Sequence, residues 1–148
     1  MKRAIRKSDQ KEFAIKIIKK KNMSDEEVKV IYDEVEILER VKHPNCVELF
    51  ETSDNGNKMY MVMELLTGGE LFTRIADQEF MNEKQSSQIT AQILSALQYL
   101  GENDIVHRDL KPENLMFKNE DVDSPIIITD FGLASSRTDT DMNTACGI

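Results

Sequence analysis

Cysteine is scarce in this chain: two among 148 residues, Cys46 and Cys146, a hundred positions apart. They form no CxxC pair and no cluster with histidine, which excludes a zinc site of the usual spacing, and they make no disulfide framework of the secreted kind. Reduced thiols in the cytoplasm, with the nucleus as the second choice, are the expectation. Long apolar runs are missing too. None approaches the roughly 18 residues of a membrane span. The opening "MKRAIRKSDQ" has basic residues but no apolar stretch behind them, so it does not read as a signal peptide. No basic stripe is evident, and a net charge of −8 with a pI of about 4.8 argues against a nucleic-acid partner. Internal repeats and low-complexity linkers are also absent, so composition draws no domain boundary.

What is present is the composition of a globular protein: 40% apolar and 31% charged residues. A chain of this length suits one domain able to bury roughly two thirds of its unfolded surface. "EFAIKII" at 12–18 is β-branched and aromatic and predicts a strand entered from a turn, with "KRAIR" before it as the other arm of a hairpin. Ser24 followed by Asp25, Glu26 and Glu27 is a capping box with acids in the first turn. Val28, Ile31, Val35 and Leu38 continue at helical spacing, which predicts a helix over 25–41, stopped by "HPN". The stretch 46–65 predicts two strands around a turn at Asp54–Asn57. After "TGG" at 67–69 come a short helix near 70–77 and a longer one over 82–103, capped by Asn82, with apolar Ile89, Ile93, Leu97 and Leu100. A short strand, a polar loop and the strand "IIIT" at 126–129 follow, and residues 133–148 read as loop. Strands and one helix come first, then a mainly helical part, which suggests two lobes.

The stretch "HRDLKPEN" at 107–114 holds a carboxylate, an ammonium and a carboxamide at fixed spacing. By itself it would pass for a charged surface turn. A second carboxylate changes its weight: Asp130 opens "DFG" directly after the apolar strand. An acid emerging at a strand end beside a glycine is well placed to hold a cation. Asn114 and Asp130 would supply oxygens to Mg²⁺, a hard ion that completes its shell with phosphate and water. Asp109 would then accept a proton from an attacking hydroxyl.

"HRDLKPEN" with "DFG" sixteen residues after its Asn resembles the catalytic core of the eukaryotic protein kinases. The resemblance implies an α+β, two-lobed kinase-like fold and transfer of phosphate from ATP, with Mg²⁺ as metal cofactor. "FAIK" then makes Lys16 the lysine that meets the α- and β-phosphates, and Glu34, eighteen residues on, its partner. Glu34 borders the apolar stripe of its helix, where an unpaired acid would cost free energy and a bond to Lys16 would remove that cost. "MVMELLTGGELF" resembles the hinge: Met63 stands at the back of the adenine pocket, the backbone of Glu64 and Leu66 binds the adenine edge, and Ala14 and Met116 sandwich the ring. Glu70 is counted with the ATP-site residues. Glu70 and Glu113 also match acids that hold basic residues preceding the phosphoacceptor.

Lys111 in "DLKPEN" resembles serine/threonine kinases, where this lysine sits near the transferred phosphoryl group. "ELLTGGELF" and "TACG" resemble the calcium/calmodulin-dependent group. The implied partners are protein substrates with basic residues before Ser or Thr, an upstream activating kinase, and calmodulin through regions outside this chain. Thr144 matches the activation-loop phosphosite, and Arg108 the cation that would receive its phosphate. Leu38, Leu49, His107 and Phe131 match the apolar column that joins the two lobes.

By the same resemblance the expected division is a small lobe over about 1–63, a hinge at 64–69 and the start of the large lobe over 70–148. Met1 falls just after the place of the glycine-rich loop, and the chain stops inside the activation segment. Gln10 stands where a hairpin glycine is common, and Ile148 where a threonine usually follows "ACG". The chain is therefore expected to be a truncated kinase domain, inactive and only marginally folded by itself, whose helix 82–103 exposes an apolar face. The alternative reading is a catalytically inactive kinase-like module that acts by binding a protein.

Overall fold

The computed structural model describes residues 1–77 and 81–136. Four strands come from the first part of the chain: β1 (Lys2–Ile5), β2 (Glu12–Lys19), β3 (Leu49–Asp54) and β4 (Lys58–Glu64). They form one antiparallel sheet in the order β1-β2-β4-β3. Period-two alternation builds β4, which turns Met59, Met61 and Met63 into the core and leaves the residues between them half-buried. β2 lies at the centre, with Lys16 opposite Met61 and Ala14 opposite Met63. The β1–β2 hairpin turns through Gln10, whose φ of 60° is the left-handed conformation a glycine would take without strain. Gln10 donates its N–H to the carbonyl of Arg6, which closes the turn.

Between β2 and β3 lies α1 (Asp25–Arg40). Its capping box is complete: Glu27 donates its N–H to Ser24 Oγ (3.2 Å), and Ser24 donates its N–H to Glu27 Oε2 (2.7 Å). Val41 ends the helix in extended backbone, one residue before the predicted limit. The buried face is Ile31, Glu34, Val35, Ile37 and Leu38. That face carries one charge, so the helix's position depends on where the charge finds its partner.

The second part holds α2 (Leu71–Asp77), α3 (Glu83–Glu102) and four short strands: β5 (Ile105–Val106), β6 (Leu115–Phe117), β7 (Ile126–Ile128) and β8 (Ser135–Ser136). β6 pairs with β7, and β5 with β8. Residues 46–48 depart from the predicted strand. Cys46 instead makes an isolated parallel bridge to Ile128: Val47 donates its N–H to the Ile128 carbonyl, and Ile128 donates its own to the Asn45 carbonyl. Gln92 on α3 fastens this crossing: its Oε1 accepts from Asn45 Nδ2 and from the Ile126 N–H, each at 2.9 Å. One apolar cluster consequently runs from Leu38, Met61 and Met63 through Leu115 to Ile126, Ile127, Ile128 and Phe131. Each fully buried side chain of that size contributes about 1.5–3 kcal/mol.

α3 is capped as predicted, by Asn82 with Gln85. Among its apolar positions only Ala96 and Leu100 are buried; Ile89, Ile93 and Leu97 are half-buried and Leu94 is 59% exposed. Ile89, Ile93 and Leu97 pack partly against the core, so among the described residues Leu94 is the large apolar side chain of α3 that stands exposed. No helix among them is long and apolar enough to cross a membrane.

Candidate active site

Lys16 leaves β2 toward α1, and its Nζ donates to both oxygens of Glu34, at 2.7 and 3.0 Å. The Glu34 side chain is 6% exposed and the lysine 29%, so the pair closes the side of a cleft and keeps one flank of the ammonium accessible. In this setting the pair gains by geometry: both carboxylate oxygens are used, and the buried acid is not left alone.

Asp109 and Asn114 sit on the loop from β5 to β6. The 3₁₀ turn Pro112–Asn114 brings Asn114 back over Asp109. Asn114 Nδ2 donates to the Asp109 carbonyl (2.8 Å) and to its Oδ2 (3.0 Å), and Lys111 Nζ reaches the same Oδ2 at 2.8 Å. The Lys111 bond, followed by that of Asn114, holds the Asp109 carboxyl below its ordinary range, and Asp109 in turn raises Lys111. Asp109 is thus ionised at neutral pH. Its side-chain contacts among the described residues fall on Oδ2.

His107 underlies this loop. It is buried, and burial lowers its imidazole below the ordinary value. Nδ1 accepts the Asp109 N–H at 3.3 Å, so Nε2 carries the proton and donates to the Thr129 carbonyl at 3.0 Å. Its ring meets Phe131 edge-on, 4.8 Å between centroids. Leu38, Leu49, His107 and Phe131 are all buried.

Asp130 follows β7 with a φ of 57°, and Arg108 stands at 62°. Each is a left-handed non-glycine residue, a conformation that costs about 1–2 kcal/mol. The Gly132 N–H approaches Asp130 Oδ1 at 3.4 Å. Among the described residues no group of three or more His, Cys, Asp or Glu is gathered to hold a metal. Asn114 nevertheless has its amide nitrogen engaged and its Oδ1 free of those bonds, and Asp130 is exposed at the same cleft. Oxygen donors from Asn114 and Asp130 fit a hard cation that shares its shell with phosphate and water.

The cleft between the sheet and the β6–β7 hairpin has a volume of about 310 Å³. Ala14, Lys16, Glu34, Met63, Glu64, Leu66, Asn114, Met116 and Asp130 all line it. Nine of the residues singled out in the sequence therefore meet at one cavity. Asp109 and Lys111 lie outside the lining and are tied to it by Asn114. Glu70 does not line it either: it is exposed, and its backbone bridges to Met116. Arg108 lies elsewhere too, with its Nε donating to the Leu133 carbonyl at 2.6 Å. Thr144 lies outside the described residues. Val47, Leu65 and Thr129 line the cleft without having been singled out. Leu65 and Thr129 lie within quoted stretches, whereas nothing local marks Val47. Beyond β4, Gly68 packs so closely that a Cβ would lie 2.1 Å from the Asn119 carbonyl oxygen. Cys46 is buried, and burial pushes its thiol up to about 12, so it stays unreactive.

The Protein kinase domain family matches the chain over residues 1–148. Calcium/calmodulin-dependent protein kinase type 1 of Caenorhabditis briggsae is 44% identical over 135 residues, which is 91% of this chain and 38% of that protein. The protein of the same name from Macrobrachium nipponense is 45% identical over 134 residues, 90% of this chain and 39% of its own length. A calcium/calmodulin-dependent protein kinase of Metarhizium anisopliae is 46% identical over 123 residues, 83% and 32% of the two chains. The chain spans about two fifths or less of the length of these relatives.

Proposed function

The chain belongs to the protein kinase family, and we propose that its cleft binds ATP for phosphoryl transfer to Ser or Thr of protein substrates. The observation that carries this reading is the cleft itself. Ala14 and Lys16 from the sheet, Met63 from the hinge, and Met116, Asn114 and Asp130 from the other side surround one volume. On this reading residues 1–63 form the small lobe, 64–69 the hinge and 70–148 the beginning of the large lobe.

Ala14 and Met116 enclose the adenine, Met63 limits its depth, and the backbone of Glu64 and Leu66 meets its polar edge. Lys16, aimed by Glu34, offsets charge on the phosphates. Asn114 and Asp130 would hold Mg²⁺, which offsets the charge that builds on the phosphate oxygens. Asp109 orients the substrate hydroxyl and takes up its proton through Oδ1. Lys111 bonds the oxygen side of the transferred group and keeps Asp109 ionised. Neutral His107 fixes the backbone of Asp109, so the base is held from below and from the side. Glu70 and Glu113 receive basic residues of the substrate. Phosphorylation of Thr144 by an upstream kinase would place a dianion for Arg108, and calmodulin would act through regions outside this chain.

The test is phosphotransfer by the full-length protein from labelled ATP to a basic Ser/Thr peptide, with Mg²⁺. Incorporation that is lost in Asp109→Asn supports the reading. A protein that binds a partner and transfers no phosphate would be the non-catalytic module instead.

A further inference from the structure

Lys20 stands just beyond β2, away from the cleft, yet its side chain is only 8% exposed. Its Nζ donates to Asp54 Oδ2 at 2.5 Å and to the Tyr32 hydroxyl at 3.0 Å, and it lies 5.1 Å from the centre of the Tyr32 ring. The Tyr32 hydroxyl donates to the same Asp54 oxygen. Asp54 is itself anchored: its Oδ1 accepts the Gly56 N–H at 2.7 Å and so holds the β3–β4 turn. Lys20 also donates its N–H to the Asn57 carbonyl of that turn, at 2.9 Å. Three elements therefore converge on one polar knot, and none of its three side chains lines the cleft.

We propose that the Lys20–Tyr32–Asp54 triad is a positioning device that fixes the rotation of α1 and so keeps Glu34 on Lys16. The inference rests on the kinase reading of Lys16. Among the described residues, two polar links join β2 and the residue that follows it to α1, Lys16–Glu34 and Lys20–Tyr32. Four residues separate the lysines, about 13 Å along an extended strand. Two residues separate Glu34 from Tyr32, about 200° around the helix. One link alone is a pivot about which a helix can turn. A second link, displaced along the strand and on another side of the helix, removes that turn. The packing of Ile31, Val35 and Leu38 is non-directional and opposes such a rotation less. Tyr32 is 44% exposed, so water competes for the knot and it can open.

The test uses the full-length protein and a measurement independent of turnover: acylation of individual lysines by an amine-reactive ester, read by mass spectrometry. Tyr32→Phe keeps the ring and removes the hydroxyl; Asp54→Asn keeps the turn bond and removes the charge. Both are expected to speed Lys16 acylation about tenfold, the size of one lost hydrogen bond to a charged group at the low end. Glu34→Gln speeds it as well, and adding Tyr32→Phe to Glu34→Gln produces no further change. Lys118, paired with Glu64 at 2.6 Å and sharing no residue with the triad, keeps its rate. In phosphotransfer, Tyr32→Phe raises KM for ATP and leaves KM for peptide unchanged. Unchanged Lys16 acylation in both variants, additivity with Glu34→Gln, or equal speeding of Lys118 would each overturn the proposal. The expected acylation pattern in a protein that transfers no phosphate would uphold the positioning role and reject the kinase reading.

Discussion

Asn114 uses one carboxamide nitrogen to hold Asp109 twice, at the main-chain carbonyl (2.8 Å) and at carboxylate Oδ2 (3.0 Å). Both amide hydrogens are spent on orienting the neighbouring acid, and the amide oxygen stays available for a cation. On the proposed reading, one side chain thus couples the proton acceptor to the metal position. Its substitution should disturb both functions together.

For the base itself, Asp109→Asn in the full-length protein is expected to lower kcat by at least about a hundredfold, the low end for a lost general base. Asp109 does not line the cleft, so nucleotide affinity should remain. Steady-state kinetics with a nucleotide-binding titration checks both. Unchanged kcat would remove the assigned role.

Glu34→Gln keeps the size of the side chain and removes its charge. The Lys16 ammonium then loses a partner bonded at 2.7 and 3.0 Å. We expect weaker ATP binding by about tenfold, the worth of one charge-assisted bond of about 1.5 kcal/mol. Calorimetry with an ATP analogue measures it. Equal affinity in Glu34→Gln and the parent would show that the pair does not aim Lys16.

The adjoining glycines Gly68 and Gly69 should respond differently. At Gly68 a Cβ would sit 2.1 Å from the Asn119 carbonyl oxygen and 2.5 Å from Phe117 Cβ, both stiffly held. Gly68→Ala should destabilise by about 3 kcal/mol, the upper range for overpacking. At Gly69 a Cβ meets nothing within 4 Å, and only its φ of 78° opposes a side chain. Gly69→Ala should cost about 1–2 kcal/mol. Denaturant titration of both variants gives the order, and a larger cost at Gly69 would contradict the packing described.

Acid should loosen the polar knot at α1. The bond from Lys20, then that from Tyr32, lowers the Asp54 carboxyl from 3.8 to about 2. A carboxyl depressed in the folded state stabilises above its unfolded value, and that stability is lost as pH falls through the folded value. The Asp54 contribution is therefore full above about pH 4 and fades toward pH 2. Melting temperatures of the parent and Asp54→Asn should converge across that window. A constant gap between pH 5 and pH 2 would refute the linkage.

Much of this protein was legible locally. The Ser24 and Asn82 capping boxes, the 3.6-residue period of α1 and the alternation of β4 depend on neighbours within a turn or a strand, so sequence alone placed these elements to within a residue or two. The spacing of Asp109, Lys111 and Asn114 is legible for the same reason, since one short loop carries all three. The pairs β5–β8 and Cys46–Ile128 were not legible: two-residue strands and single bridges show no periodicity. The Lys20–Tyr32–Asp54 knot spans 34 positions, and each member taken singly looks like an ordinary surface residue.

Sequence by itself determined which residues could do chemistry, because motif spacing and residue type are properties of the chain. Only the tertiary structure decided which of them share a cavity. It brought Val47 and Leu65 to the cleft beside Met63, and left Glu70 and Arg108 outside it. The physical reason is that the cleft is bounded by a shared core. Where Ile126, Ile127 and Ile128 pack against Leu38 and Met61 depends on volumes and registers summed over both halves of the chain, which no local pattern encodes.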